Sequence, residues 1–162
     1  MTVINHTARH LRCCKRQSLS STPLSRLRPP TGKGLHHVYR ECHFIRSFCG
    51  KLDDYLNIDV ALVGGGPSAL VAAREIARNG FKTAIFERKL APGGGTWGGG
   101  MLFNEVVVQD SATAILDDFN ISYKPIADAD GYYTLDSVEM ASGLIFGALK
   151  AGAKIFNSIS VE

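Results

Sequence analysis

The run Gly64-Gly65-Gly66-Pro67-Ser68-Ala69, followed 23 residues after Gly64 by Glu87, joins residue types whose spacing carries chemistry. It is a G-x-G-x-x-A turn leading to an acid, the fingerprint of a dinucleotide site. Gly64 permits a tight turn, Gly66 leaves a gap where pyrophosphate approaches the backbone, and Ala69 lets a helix lie close on a strand. Ser68 sits where a helix N-terminus offers unpaired N–H groups and partial positive charge to phosphate. Glu87 can accept hydrogen bonds from both hydroxyls of an adenosine ribose and would repel a 2′-phosphate, which favours NAD or FAD over NADP. The plainer alternative is a glycine-rich turn with no ligand. A second cluster, Pro92-Gly93-Gly94-Gly95-Thr96-Trp97-Gly98-Gly99-Gly100-Met101, has six glycines in eight positions. So many glycines lose much conformational entropy on folding, which suits a loop whose backbone approaches a ligand. Gly95 is its candidate contact near the phosphates. Arg88 and Lys89 could neutralise those phosphates, with a solvated surface charge as the plainer role of Lys89. Trp97 is the single tryptophan, and a buried anchor for the loop is its plainer role.

The elements that would position these residues are legible from residue 51 onward. Asp59-Val60-Ala61-Leu62-Val63 is a short apolar run, expected as a strand buried on both faces of a parallel sheet. Leu70, Ala73, Ile76 and Ala77 recur as the apolar stripe of a helix, which Asn79-Gly80 stops. Thr83-Ala84-Ile85-Phe86 is a second strand ending at Glu87. Ser111 to Phe119 reads as a short helix, and Tyr123-Lys124-Pro125 and Tyr132-Tyr133-Thr134-Leu135 as short strands around a polar turn. Asp136-Ser137-Val138-Glu139 has the pattern of a capping box before a helix reaching about Ala151. Lys154 to Val161 reads as a further parallel strand, reached by a crossover that is right-handed by the general rule. In related dinucleotide folds the end of this strand lies under the adenine, which makes the Val161 backbone a candidate adenine contact; a plain core valine is the alternative. The fold class expected is α/β: a Rossmann-like parallel sheet of the FAD/NAD-binding type with helices on both faces, incomplete at the C-terminus.

The first fifty residues are unlike the rest. They hold nine Lys/Arg against one acidic residue, Glu41, whereas residues 51–162 hold nine against fourteen. All four Cys and all five His fall before residue 50. An Arg- and Ser-rich stretch so poor in acid buries little apolar surface, so residues 1–50 are expected to be a basic, largely irregular leader, disordered to about Gly34. Residues 51–162 are expected to form the N-terminal part of a dinucleotide-binding domain. The leader could be an organellar transit peptide, a basic arm for nucleic acid, or a segment with no role; nucleic acid is the least favoured partner. A secretory signal is disfavoured, because no apolar stretch follows the early basic residues. Cys13, Cys14, His36, His37, Cys42, His43 and Cys49 lack zinc spacing, and no metal site is assigned to them. With no Cys after residue 49, a reducing, cytoplasmic setting is expected, or an organelle if the leader is a transit peptide. No run reaches the ~18 apolar residues that a transmembrane helix needs.

Taken together, Asp59 to Glu87, Phe86-Glu87-Arg88, the Gly-Gly-Gly-Thr-Trp-Gly-Gly-Gly-Met-Leu-Phe run at 93–103 and Val106-Val107-Val108 resemble the thiamine thiazole synthase family. The likeness covers roughly residues 52–162 and is closer to archaeal and bacterial-type members than to fungal and plant ones. The resemblance implies an enzyme that uses NAD as a substrate: it removes nicotinamide, rearranges ADP-ribose, condenses it with glycine and takes up sulfur to form an adenylated thiazole. It further implies iron in the members that use free sulfide, and a ring-like homo-oligomer. Members of the family run well beyond the position of Glu162, so the glycine-binding residues, the iron ligands and the Cys or His that decides the sulfur source are expected outside this chain. None of its own cysteines matches the sulfur-donor position. The chain alone is expected to be inactive, with Gly64, Gly66, Ser68, Glu87, Arg88, Gly95 and Val161 acting by positioning. A flavin-dependent oxidoreductase, which opens with the same strand, turn, helix and acid, and a non-catalytic binding fragment remain as rivals. A ribose-1,5-bisphosphate isomerase is an alternative label, but no residue argues for a bisphosphate sugar over a dinucleotide.

Overall fold

The computed structural model describes residues 33–162, with side chains described from His43 onward. Cys13, Cys14 and the Arg- and Ser-rich run through Pro30 lie outside the described residues. The chain divides into two compact units, one up to Leu56 and one from Asn57 to Glu162. The described part of the first contains the helix α1 (Lys33–Asp54). An irregular segment was expected up to residue 50, and from Lys33 on this is corrected. No proline falls between Pro30 and Pro67, and Leu35, Val38, Cys42, Ile45, Cys49 and Leu52 recur at alternating spacings of three and four. Such spacing sustains a helix, but composition averaged over fifty residues hides it.

In the second unit the elements in chain order are β1 (Val60–Val63), α2 (Pro67–Arg78), β2 (Thr83–Glu87), a 3₁₀ turn (Thr96–Gly98), β3 (Glu105–Gln109), a second 3₁₀ turn (Asp110–Ala112), α3 (Thr113–Asp118), β4 (Lys124–Pro125), β5 (Tyr132–Asp136), α4 (Ser137–Lys150) and β6 (Lys154–Asn157). The strands form two three-stranded sheets. One is parallel in the order β1-β2-β6; the other is antiparallel in the order β3-β5-β4 and interrupts the connection from β2 to β6.

The register of the parallel sheet sets its two faces. Leu62, Ile85 and Ile155 are aligned across the three strands. They meet Leu70 and Ala73 of α2 and Leu144 and Ala148 of α4, and Leu116, Phe119, Ile121 and Leu135 complete the core. The alanines on both helices let backbones come close. Removing the fully buried Leu144 side chain by Leu144→Ala would cost about 2–5 kcal/mol. On the other face Phe86 and Phe156 stack with ring centroids 5.5 Å apart.

Three strands differ from expectation. β1 is not buried on both faces: Ala61 and Val63 are exposed, because α2 and α4 both pack on the Leu62 side of the sheet and alternate residues point to the other face. β6 ends at Asn157 rather than at Val161. Ser158 turns into the left-handed region at φ 59°, which breaks the extended run. Ser158 N–H then donates to Lys89 O at 3.2 Å and Ile159 N–H to Glu87 O at 3.0 Å. β3 was not foreseen as a strand; its alternating exposure shows a strand with one buried face.

Candidate functional site

The site is built at the C-terminal ends of β1 and β2, where ligands bind in open parallel sheets. Gly64 takes φ 92°, a conformation open to glycine at little cost. Its N–H donates to Phe86 O at 2.8 Å, which carries the β1–β2 ladder into the turn. Gly66 is the N-cap of α2 and offers no side-chain cap, while Pro67 at the first helical position brings no N–H. The first-turn N–H groups of α2, next to the exposed Ser68, therefore remain for a ligand.

Glu87 closes the turn from the neighbouring strand. It is buried, at 6% exposure. Gly65 N–H donates to its Oε2 at 2.6 Å and Lys89 N–H to its Oε1 at 2.8 Å. The Lys89 and Gly65 amides, in that order, hold its carboxyl below the usual carboxylate range against the opposing effect of burial. Glu87 is thus a brace for the turn as well as a candidate ribose acceptor. Each carboxylate oxygen has two acceptor sites, so one on each stays available. Arg88 and Lys89 are exposed beside it.

The second glycine cluster docks directly on the first. Gly93 N–H donates to Gly65 O at 2.6 Å, and a Cβ at Gly94 would come within 3.2 Å of Gly66 Cα. Trp97 is not the buried anchor expected of it: the residue is 37% exposed. It still anchors the loop through its edge, as Nε1–H donates to Pro92 O at 2.7 Å. Asn157 Nδ2–H donates to Leu90 O at 2.6 Å and braces the stretch between Glu87 and the loop.

Gly66 and Gly95 stand apart from their neighbours. Gly66 has φ −72° and Gly95 φ −83°, which any residue can adopt. A Cβ at either would meet nothing within 4 Å. Among the described residues neither backbone strain nor packing demands glycine at Gly95, and at Gly66 only its place as the N-cap of α2 favours glycine over alanine; both positions leave the backbone open to a ligand. A dinucleotide therefore fits the residues present.

Of the candidate residues, the structure brings Gly64, Gly66, Glu87 and the Gly93–Gly95 stretch together. Ser68 flanks them on α2, and Arg88 is exposed at the strand end. Val161 lies past β6 and is half exposed, two residues beyond the Ile159 amide that bonds Glu87 O. Sequence reasoning missed Gly65 and Gly93, whose backbones join the two segments, because hydrogen bonding between main chains leaves no side-chain signature. It also missed that the Ser137 hydroxyl donates to Trp97 O at 3.0 Å.

The profile of the Thi4 family matches residues 42–162, three-quarters of the chain and the whole of this site. The chain belongs to the Thi4 family. This Thi4-family chain is 52% identical over 118 residues to the thiamine thiazole synthase of Methanococcoides burtonii, covering 73% of this chain and 45% of that protein. It is 56% identical over 109 residues to the thiamine thiazole synthase of Methanosarcina acetivorans, covering 67% and 41%. The crystal structure of Thermovibrio ammonificans THI4 matches it with a TM-score of 0.73 at 45% identity, over 78% of this chain and 47% of that one. The Thi4-family chain thus spans less than half the length of these relatives. The relatives are enzymes by name, and the resemblance read from the sequence is to their family.

Proposed function

We propose that this chain holds the ADP-binding part of a thiamine thiazole synthase and takes NAD as a substrate. The observation that carries the reading is the pair Gly66 and Gly95: two glycines on which a Cβ would meet no described residue within 4 Å, on two segments hydrogen-bonded backbone to backbone beside a buried carboxylate. In this reading pyrophosphate rests on Gly64–Gly66, Ser68 and the first turn of α2. Glu87 accepts the ribose hydroxyls on its two remaining acceptor sites, and its charge disfavours NADP. Arg88 supports the adenosine side, Gly95 approaches the phosphates and the Val161 backbone the adenine. These residues bind and orient the ADP moiety, so that the nicotinamide ribose is held for chemistry performed by other groups.

The wider reaction follows the family resemblance: loss of nicotinamide, rearrangement of ADP-ribose, condensation with glycine and uptake of sulfide, a transfer reaction in a homo-oligomer. Among the described residues no group of three or more His, Cys, Asp or Glu is arranged to hold a metal ion, and no step is assigned to iron here. The setting we propose is the cytoplasm, with an organelle as the alternative; among the described residues no helix is long and apolar enough to cross a membrane.

The chain alone is expected to bind NAD without converting it. Incubation with NAD, glycine, sulfide and ferrous iron, read by mass spectrometry, should return NAD unchanged, and an adenylated thiazole in the product would overturn the inactivity. Equilibrium dialysis should show NAD retained more strongly than NADP. Retention of FAD alone would favour an oxidoreductase instead.

A further inference from the structure

Ser137 is fully buried and polar, and capping does not explain it. Asp136 is the N-cap of α4: its Oδ1 accepts the Val138 and Glu139 N–H groups at 2.8 Å each. Glu139 does not complete a reciprocal box, since its Oε1 accepts the Ser122 N–H at 2.7 Å. The Ser137 hydroxyl instead donates to Trp97 O at 3.0 Å, across 40 residues of sequence. Its own N–H donates to Asn104 O at 3.0 Å, and Asn104 Nδ2–H donates to Asp136 Oδ2 at 3.2 Å. Both ends of the stretch 97–104 are therefore tied to one helix start. Between the ties lie Gly98 to Gly100 and the exposed Met101, Leu102 and Phe103, with Leu102 in the left-handed region at φ 63°. From Trp97 the bonds continue inward, through Nε1–H to Pro92 O and through Gly93 N–H to Gly65 O, and end at Glu87, which accepts the Gly65 N–H.

We propose that Ser137 is a positioning residue for the dinucleotide site, holding the second glycine loop in register with the first turn through the Trp97 carbonyl. This rests on the ADP-binding reading above, which the loop would serve. A loop with six glycines in eight positions samples many conformations when released, and a site that is ordered only part of the time binds more weakly in proportion. Ser137 touches neither substrate nor reacting atoms; it acts through Trp97.

Trp97 is the single tryptophan, so its emission in the full 162-residue chain reports on this loop alone. Ser137→Ala is expected to increase acrylamide quenching of Trp97 without ligand and to weaken NAD binding by roughly 5-fold, the change that loss of one ordinary hydrogen bond implies. Far-UV circular dichroism should stay as in the wild type, since alanine is well tolerated in a first helical turn. Ser137→Thr, which keeps the hydroxyl, should restore both the quenching and the affinity. Wild-type quenching and affinity in Ser137→Ala would overturn the proposal, and so would equal losses in the alanine and threonine variants. If the wild type binds no NAD while Ser137→Ala still raises quenching, the ADP-binding reading fails and the hold on the loop stands.

Discussion

The two glycine-rich segments are alike in composition and unlike in what demands the glycine. In the first, Gly64 answers to the backbone, which turns there through φ 92°, while a Cβ at Gly66 would meet no described residue within 4 Å. In the second, Gly99 is required from within, because a Cβ would run into the carbonyl of Glu105, while a Cβ at Gly95 would meet nothing. Each segment thus mixes glycines that make the fold with glycines that leave space for something else. A count of glycines cannot separate the two kinds; the direction in which a missing Cβ would point can.

The sharpest way to break this comparison is to substitute one glycine of each kind. Gly99→Ala should cost about 2–4 kcal/mol, from the left-handed backbone and the clash with Glu105 together, and should lower the melting temperature clearly. Gly95→Ala should leave melting nearly unchanged, within about 0.5 kcal/mol, Gly66→Ala should cost no more than about 1 kcal/mol from its N-cap position, and both should weaken NAD binding at least ~10-fold. Melting losses of equal size in all three would erase the distinction.

The carboxylate between the segments gives a pH test. Glu87 is held below its ordinary range by the Lys89 and Gly65 amides. Its stabilisation is complete above the ordinary glutamate value of about 4.3 and is lost as pH falls through the depressed folded value. Glu87→Gln should therefore be less stable than the wild type at neutral pH, and the gap should close on acidification, as chemical denaturation over pH 2–7 would show. Part of the acid sensitivity should persist in the variant, because Asp136 is also lowered, first by the Glu139 amide. A gap that stays constant with pH would contradict the role given to the ionised carboxylate. The smallest effect is expected of Trp97→Phe, which loses the bond to Pro92 O. It should cost about 1 kcal/mol in denaturant unfolding while keeping the fold.

The parallel half of the fold was legible because its determinants are local: an apolar run, a turn, an apolar stripe and an acid at a fixed distance. Asp136 as a helix cap was legible for the same reason, since residues two and three positions on supply its partners. The rest depended on neighbours distant in sequence. β3 forms through pairing with β5, as in Val106 opposite Leu135, and Val106-Val107-Val108 carries no turn signal of its own. The exposure of one face of β1 follows from α2 and α4 both covering the other, which four apolar residues cannot declare. Glu87 was legible as the acid of a fingerprint but not as a brace, because Gly65 contributes only its amide.

The most direct test of the central claim is calorimetric titration of ADP-ribose into the folded chain and into Gly66→Ala. The expected result is saturable binding near one equivalent in the wild type, weakened at least ~10-fold in the variant, with the variant still folded and its melting temperature lowered far less than that of Gly99→Ala. Absence of binding to a folded wild type, or equal affinity in the two proteins, would contradict the claim that these glycines leave room for an ADP moiety.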